Sequence, residues 1–331
     1  MYQIALIGCG RIAPAHLEAL GNLSDRAKVV AICDMNASLR RERQQAYGVP
    51  EGFDSVGDLL AWGAFDIAMA LTPPDVRSAV CLPLLGAGKH VMVEKPYTHD
   101  MKEARAIVNA AESAGVTLAV SQNFRWFPPV PTLRESILNG RIGRVLSCTR
   151  IDTVWRDERA GWRNTTGYLA LSVMGVHWLD QFRWFLADEP TRVYASTLIS
   201  GLLSSAGEDI TATVITFRSG AVVTLVHHWA SHTRGTANRL QIEGTEGAVI
   251  AQGNQLRWTD KDGNTSVEDI PRFSVPQSIE CSWVEFMDAL DEGRQPCHSG
   301  RDNLQTTALL TGAYRSAATG QAVEIADQLG A

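Results

Sequence analysis

The first apolar run of the chain, Gln3–Gly8, leads directly into Gly8-Cys9-Gly10-Arg11-Ile12-Ala13 and then into a helical segment. Gly8 permits a tight turn after a strand, Gly10 lets the backbone approach a ligand closely, and Ala13 is small enough for the helix to pack against the strand. The helix N-terminus then offers free N–H groups and a positive dipole end to an anion. Alone, such a GxGxxA turn can also form without any ligand. In this context it predicts a site for the pyrophosphate of a dinucleotide.

A carboxylate supports this interpretation. Asp34 ends the second predicted strand, 24 residues after Gly10. A carboxylate at that place accepts hydrogen bonds from both ribose hydroxyls and repels a 2′-phosphate, so it favours NAD over NADP. We therefore expect NAD as the cofactor, bound by Gly8, Gly10, Arg11, Ile12 and Asp34.

The first ~120 residues alternate apolar runs with helical segments, which is typical of a parallel sheet covered on both faces. This part is predicted to be a Rossmann domain, residues 1–122. A proline-rich stretch, NFRWFPPVPT, follows it and indicates a hinge. Beyond it, several predicted strands joined by short turns favour an antiparallel sheet. The predicted fold is therefore α/β, with a C-terminal α+β domain over residues 123–331 that contains a large open, mainly antiparallel sheet.

The composition excludes several classes of protein. The chain has 331 residues with 30 Lys and Arg against 36 Asp and Glu, so its formal charge is −6, whereas nucleic-acid binding favours a basic surface. Apolar runs end well short of the ~20 residues of a membrane span, and no secretory leader opens the chain. The six scattered cysteines predict reduced thiols in a cytoplasmic protein, with neither a nucleic-acid nor a membrane partner.

A second set of motifs lies farther along. Glu94-Lys95-Pro96 follows the fourth predicted strand, at the sheet edge where open α/β folds bind ligands. Thr72-Pro73-Pro74 follows the third strand, Asn123-Phe124-Arg125 stands at the hinge, and Gly175-Val176-His177-Trp178-Leu179-Asp180 lies in an apolar helical segment. With NGRIGRV, EGTEGAV and GRDNLQTTALLTGAYRSAATGQAVEI, these motifs resemble the glucose–fructose oxidoreductase / inositol dehydrogenase / rhizopine-catabolism (Gfo/Idh/MocA) family over nearly the whole chain.

The resemblance implies an NAD-dependent oxidoreductase that transfers a hydride between nicotinamide and a secondary hydroxyl of a sugar, sugar derivative or inositol. It also implies that the open sheet forms the interface of a homodimer or homotetramer. By their positions in the motifs, Lys95 and His177 are expected to be catalytic. The cofactor-binding residues implied in the same way are Thr72, Pro73, Glu94, Lys95 and Asn123.

The chemistry suits these residue types. A hydride leaves a carbinol only as the hydroxyl proton is removed, so a base must lie within hydrogen-bond reach. A histidine titrates near working pH, and a neighbouring ammonium stabilises the developing alkoxide. The side chains predicted to contact a sugar are Arg125, Trp155, Arg163 and Tyr168. For Trp155, Arg163 and Tyr168, core packing or surface charge is at least as good an explanation.

Two positions depart from the family pattern. The family usually places Asp or Glu four residues before the histidine, where this chain has Val173, and it often carries a histidine where this chain has Arg77. Asp180 lies three residues after His177 in a predicted helix, Tyr168–Leu186, and residues three apart share a helix face. We therefore expect Asp180 to orient or charge-balance the imidazole in place of the missing carboxylate, although a contact with cofactor or local backbone is an equal alternative.

Other interpretations stay open. An NAD-dependent lyase or glycosidase that oxidises its substrate transiently has the same motifs, and so does a non-catalytic, nucleotide-bound regulator. Three histidines lie in the predicted strand VTLVHHWASH, but strand periodicity places His228 and His232 on one face and His227 on the other. We therefore predict no metal site there.

Overall fold

A computed structural model describes residues 1–159 and 161–330 of the chain. Residues 160 and 331, which fall in the predicted second domain, lie outside the described residues. The chain divides into two units, the first formed by Met1–Asn123 with Ser274–Leu304 and the second by Phe124–Phe273 with the residues from Gln305 onward. No described helix has both the length and the apolar character that a membrane span requires.

The first unit contains the predicted parallel sheet. It has six strands, one more than the sequence indicates, and the additional strand is the short β3 (Glu51–Phe53). The strands are β1 (Tyr2–Ile7), β2 (Ala27–Cys33), β3 (Glu51–Phe53), β4 (Ile67–Ala70), β5 (His90–Glu94) and β6 (Leu118–Ser121). Their spatial order is β3-β2-β1-β4-β5-β6. Because the order reverses between β1 and β4, the carboxyl ends of these two strands flank the place where an open α/β sheet binds its ligands.

Helices connect these strands and cover both faces of the sheet. They are α1 (Ala13–Asn22), α2 (Ala37–Tyr47), α3 (Val56–Trp62), α4 (Arg77–Gly86) and α5 (Met101–Ala114). The strands are apolar along their length because each face packs on its own hydrophobic cluster. Asp100 caps α5 by accepting hydrogen bonds from the backbone N–H groups of Lys102 and Glu103.

The second unit is built on a nine-stranded sheet. It contains α6 (Val130–Leu138), β7 (Val145–Thr153), α7 (Trp162–Thr165), α8 (Val176–Leu186), β8 (Pro190–Leu198), β9 (Ile210–Phe217), β10 (Val222–His228), β11 (Arg239–Gly244), β12 (Gly247–Gln252), β13 (Gln255–Asp260) and β14 (Thr265–Asp269). The strand order is β14-β13-β12-β11-β7-β10-β9-β8-β15, where β15 is the short C-terminal strand Val323–Glu324. Only the pair β7 and β10 is parallel, so the predicted mainly antiparallel sheet is confirmed.

The C-terminal elements divide between the units. They are α9 (Val275–Asp291), α10 (Gly300–Thr319), β15 (Val323–Glu324) and α11 (Ile325–Leu329). The sequence analysis assigned all of residues 123–331 to the second domain, whereas α9 belongs to the first unit. The apolar face of α9, with Trp283 and Phe286, completes the hydrophobic cluster that contains Leu17 and Leu20 of α1.

The helix predicted over Tyr168–Leu186 also differs in detail. A π-helical turn, Leu171–Gly175, precedes α8, which begins only at Val176. A π turn adds a residue to the helical repeat and is often found at functional sites. The spacing between residue 173 and His177 is therefore not that of a regular α-helix.

Candidate active site

The glycine-rich turn follows β1 as the sequence predicts. Gly8 has a φ of 102°, and a Cβ at this residue would lie 3.2 Å from the carbonyl carbon of Leu71, so both conformation and space require glycine. At Gly10 the direction of a Cβ is open, with no heavy atom within 4 Å of it. The turn therefore leaves space at Gly10. In the first turn of α1, Pro14 has no N–H, and the N–H groups of Ala13 and Ala15 donate to the carbonyl oxygens of Gly10 and Ile12.

Asp34 lies next to this turn. One carboxylate oxygen accepts a hydrogen bond from the backbone N–H of Cys9 at 2.6 Å, and the other accepts one from the N–H of Asn36 at 2.8 Å. Each oxygen of a carboxylate can accept a second hydrogen bond. Asp34 is thus fixed at the end of β2 and keeps acceptor capacity for the two hydroxyls of a ribose.

Thr72 and Pro73 follow β4 at the same edge of the sheet. The hydroxyl oxygen of Thr72 is buried and lacks a hydrogen-bond partner among the described residues. Buried hydroxyls normally have a partner. This hydroxyl, together with the open space at Gly10, fits a bound dinucleotide.

Arg77 holds the ends of two strands together. Its buried guanidinium donates to the carbonyl oxygens of Thr72 and Glu94, which follow β4 and end β5 respectively. Burial lowers the pKa of Arg77, but a guanidinium stays charged. The departure from the family histidine at this position therefore places a cation between the two motif segments of the first unit.

The side chain of Glu94 is fixed by a relay of buried rings. The indole N–H of Trp283 donates to Nδ1 of His16 at 3.2 Å, and Nε2 of His16 lies 3.0 Å from a carboxylate oxygen of Glu94. Since an indole nitrogen only donates, the ring proton of His16 sits on Nε2 and points at Glu94. Burial opposes ionisation, but the hydrogen bond from His16 and the charges of Lys95 and Arg77 hold the pKa of Glu94 below its ordinary value.

Lys95 and Asn123 complete the predicted residues of the first unit. Lys95 directly follows β5, is half-buried, and is joined to Pro96 by a cis peptide bond. The side-chain amide of Asn123 is buried and donates to the hydroxyl of Ser278 in α9 at 2.7 Å. Arg11 and Ile12 precede α1 at the glycine-rich turn. The structure thus groups Gly8, Asp34, Thr72 and Lys95 after strands of the same sheet edge.

His177 lies in the first turn of α8 in the second unit. Its imidazole is buried and stacks on the ring of Phe124, with the ring centroids 4.0 Å apart and the planes at 13°. Val173, at the position of the family carboxylate, is 1% exposed and packs in an apolar cluster with Leu169 and Trp229. The environment of residue 173 is therefore apolar, and it supplies no charge to the imidazole.

Asp180 is not placed as expected. Its carboxylate accepts two hydrogen bonds from Arg125, at 2.7 and 2.6 Å, and a third from the hydroxyl of Thr306 at 2.8 Å. Arg183 lies 3.7 Å away and forms its own bidentate pair with Glu189. Both oxygens of Asp180 are thus committed to a buried ionic network, and a direct role in orienting His177 is not what the structure shows.

The same network accounts for Arg125, which was predicted to contact a sugar. Its side chain is 1% exposed, and its guanidinium binds Asp180 and stacks on Trp184 at 4.7 Å. The arrangement is a structural one, in the interior of the second unit. The sequence shows only that both residues belong to motifs and carries no sign that they pair.

The other three predicted sugar contacts have separate surroundings. The ring of Trp155 lies 5.3 Å from that of His232, Arg163 lies 3.6 Å from Glu158, and the half-exposed Tyr168 packs on Tyr314. Their roles in binding a sugar stay predictions.

Sequence analysis missed a polar group in the middle of the nine-stranded sheet. Arg150 and Asp152, two residues apart in β7, face the same side as the buried Cys148 and line a cavity of about 210 Å³. Phe124, Trp178 and Gln181 also line it. The alternation of two charged residues, Arg150 and Asp152, in an otherwise uncharged strand is the signal that could have found this group.

Histidine and cysteine clusters give no argument for a metal. His227 faces inward and pairs with Asp152, whereas His228 is on the other face of β10, as predicted. In the described part of the chain, one trio comes close enough to share an ion, namely Glu285, Cys297 and His298. Its carboxylate is already bound by Arg294 and by the N–H of Cys297, so this trio is explained without a metal.

Comparisons with known proteins agree on one family. Residues 2–122 match the family model of the GFO/IDH/MocA oxidoreductases with an NAD-binding Rossmann fold, and residues 130–250 match the model of the C-terminal domain of that family. A D-apiose dehydrogenase of Paraburkholderia graminis is 31% identical, with 98% of this chain and 90% of that protein aligned. An inositol 2-dehydrogenase of Rhizobium meliloti is 26% identical, over 98% of this chain and 99% of the other.

Solved structures give the same picture. An oxidoreductase of Agrobacterium radiobacter, in complex with NAD⁺, L-tartaric acid and magnesium, superposes with a TM-score of 0.93 at 25% identity over 99% of both chains. The WlbA dehydrogenase of Bordetella pertussis, in complex with NADH and UDP-GlcNAcA, superposes with a TM-score of 0.87 at 26% identity over 98% of both chains.

The buried pair Arg125–Asp180 yields a stability prediction. Asp180→Asn leaves the guanidinium buried without a carboxylate, so we expect a loss of about 3–5 kcal/mol in the free energy of unfolding, measured by urea denaturation. Glu112→Gln is the matched control, because Glu112 forms an equally short bidentate pair with Arg301 on the surface and should cost at most about 1 kcal/mol. Equal losses in the two variants would contradict the structural assignment of Asp180.

Proposed function

Because the chain belongs to the GFO/IDH/MocA oxidoreductase family, we propose that it transfers a hydride between NAD and a secondary hydroxyl of a sugar, sugar derivative or inositol. The observation that carries the proposal is the set of residues at one edge of the parallel sheet. The glycine-rich turn follows β1, Asp34 follows β2, Thr72 follows β4 and Lys95 follows β5. Four neighbouring strands thus end in residues suited to a dinucleotide and to a reacting oxygen.

The residues of the chain divide the work as follows. Bound NAD supplies the hydride acceptor. Gly8, Gly10, Arg11 and Ile12 would hold the pyrophosphate of the cofactor, and Asp34 would accept hydrogen bonds from its ribose. His177 takes the proton of the substrate hydroxyl. The ammonium of Lys95 stabilises the charge that develops on the oxygen, and this stabilisation is greatest in the transition state.

The names of the relatives support the substrate class. They include dehydrogenases of D-apiose and of inositol and a reductase of 1,5-anhydro-D-fructose, all of them small polyhydroxylated molecules. One solved relative holds L-tartaric acid. The shared feature is a carbinol flanked by further hydroxyls.

A second candidate function is favoured by the apolar environment of Val173. Without a carboxylate at that position, a protonated His177 gains less stabilisation there, which favours a regulator that binds nucleotide without turnover. A lyase or glycosidase with transient oxidation needs the same base and stays an alternative with the same motifs. Net NADH formation separates these cases. A lyase returns the hydride to the molecule it oxidised, so it forms product without a net change in the absorbance of NADH. A regulator forms no product.

We also propose that the protein works in the cytoplasm as a homodimer or homotetramer. The six cysteines are free and four of them are buried, which fits a reducing compartment. The outer face of the nine-stranded sheet exposes a group of apolar side chains, each of them 41–57% accessible, namely Tyr194, Leu198, Val214, Val222 and Val226. A contiguous apolar face of this kind fits a second copy of the chain.

The first test is a screen of polyols, inositols, aldoses and sugar acids for NADH formation. With an active substrate in hand, Lys95→Ala should lower kcat far more than it weakens NAD binding, because its charge matters chiefly as the proton leaves. Lys102→Ala, an exposed lysine in the first turn of α5, serves as control and should leave kcat unchanged. Near-normal turnover in Lys95→Ala would exclude the proposed role.

Cofactor preference tests Asp34. We expect the wild type to prefer NAD over NADP and Asp34→Ala to lose about 1–3 kcal/mol of that preference, because a carboxylate that binds ribose and repels phosphate is removed. The measurement is the ratio of kcat/KM for the two cofactors. Asp25→Ala removes an exposed carboxylate just before β2 and should leave the ratio unchanged. If Asp34→Ala behaved like this control, another residue would set the preference.

Light scattering at micromolar concentration tests the oligomer. We expect a dimer or tetramer for the wild type and a smaller species for Val214→Lys, since the new charge lies in the centre of the outer sheet face. Leu138→Lys, which adds the same charge at an exposed position at the end of α6, should keep the wild-type mass. A monomeric wild type would rule out the proposed assembly.

A further inference from the structure

The inner face of the nine-stranded sheet contains a cavity that the proposed mechanism does not use. Arg150 and Asp152 of β7 form its floor, and Trp178 and Gln181 of α8 face them. Phe124, whose ring stacks on His177, forms a side wall. The ring of Phe124 therefore lies both against the cavity, which has a volume of about 210 Å³, and against His177, the predicted proton acceptor.

Arg150 is partly buried, and its side chain is 18% exposed. Its guanidinium carbon lies over the indole of Trp178, 3.5 Å from the ring centroid. Stacking uses the face of the guanidinium and leaves its five N–H donors in the plane. Within the described chain, Nε has no hydrogen-bond partner and the nearest carboxylate oxygen, on Asp152, lies 3.9 Å away. That distance is too long for a hydrogen bond.

Asp152 is held by another partner. The indole N–H of Trp229 donates to Nε2 of His227 at 2.8 Å, so the ring proton of a neutral His227 sits on Nδ1, which lies 2.8 Å from Asp152. Burial works against its charge, but His227, Arg150 and Trp178 together hold the pKa of Asp152 below its ordinary value. The carboxylate is thus ionised and drawn towards His227, which leaves the in-plane donors of Arg150 available.

Gln181, by contrast, has a side-chain acceptor that needs a hydrogen-bond donor. Its side-chain nitrogen donates to the carbonyl oxygen of Phe124 at 3.0 Å, while its side-chain oxygen is buried and has no donor in the described structure. The cavity thus contains a strong donor group that needs an acceptor and an acceptor that needs a donor. Buried polar groups are costly unless such partners are present.

We propose that this cavity binds the carboxylate end of a hydroxy acid, so that the substrate is an acidic sugar or a sugar acid. The guanidinium of Arg150 matches a carboxylate in a bidentate arrangement, the oxygen of Gln181 accepts a hydrogen bond from a neighbouring hydroxyl, and the rings of Phe124 and Trp178 cover the apolar side of the carbon chain. That this ligand is the substrate rests on the proposed function. The binding of the anion itself does not depend on turnover.

Binding is measured by calorimetry with two pairs of probes that differ at one terminal carbon, D-gluconate with D-glucitol and D-galacturonate with D-galactose. We expect the wild type to bind the acids about 10- to 100-fold more tightly than the neutral partners, the range of a charge-assisted hydrogen bond. Arg150→Met should remove this difference, and Arg150→Lys, which keeps the charge but loses the fork, should restore part of it. Arg218→Met changes an exposed arginine in the turn after β9 and should bind like the wild type.

Several outcomes separate this inference from the proposed function. Equal affinity of the wild type for acids and neutral sugars overturns the cavity assignment. An Arg150→Met variant that melts at the wild-type temperature and still prefers acids overturns it as well. Acid binding that depends on Arg150 without NADH formation from any sugar supports the cavity site and counts against the proposed function. Turnover of neutral sugars without acid preference supports the function and overturns the cavity assignment. If Arg150→Met does not fold, Arg150→Lys still decides, because it should bind acids more weakly than the wild type.

Discussion

The guanidinium of Arg77 connects two strand ends of the parallel sheet, at the edge where we propose that NAD binds. It donates to the carbonyl oxygens of Thr72 and Glu94 from a fully buried position, so the segments after β4 and β5 keep a fixed spacing. Glu94 is held in turn by His16, and His16 by Trp283. Since Trp283 lies in α9, this chain of hydrogen bonds is a polar reason, beside the apolar cluster, for α9 to return to the first unit.

Two arginines of the second unit, Arg125 and Arg150, differ in whether their guanidinium groups are paired with a carboxylate. Arg125 is fully engaged, because Asp180 binds it in a bidentate pair and Thr306 contacts the same carboxylate. Arg150 stacks on Trp178, but within the described residues its Nε has no hydrogen-bond partner and the carboxylate of Asp152 lies 3.9 Å from its guanidinium. A buried network in which every donor and acceptor is paired fixes a structure. A buried donor group without an acceptor is costly unless a ligand or water accepts its hydrogen bond. The contrast between these two residues separates a structural role from a binding role.

Sequence alone predicted the parallel sheet and the positions at its edge, because buried strands are continuous apolar runs and the motifs stand directly after them. It missed the short strands β3 and β15, and it missed β13 and β14, whose exposed polar residues alternate with few buried ones. It also placed α9 in the second domain. A helical pattern shows which face is apolar but not which sheet that face will cover. The partners of Asp180 were likewise out of reach, since Arg125 and Thr306 lie 55 and 126 residues away from it in the chain.

The residues around Val173 suit an apolar side chain at this position, where the family usually has a carboxylate. The residue is buried with Leu169, Ala170 and Trp229, and the π turn before α8 gives this segment a spacing of its own. A carboxylate at residue 173 would be buried among apolar groups, where an ionised side chain is costly without a partner. The cluster and the valine therefore belong together. Under the proposed function, the imidazole of His177 obtains no charge from this position, and more of the stabilisation of a developing alkoxide rests on Lys95.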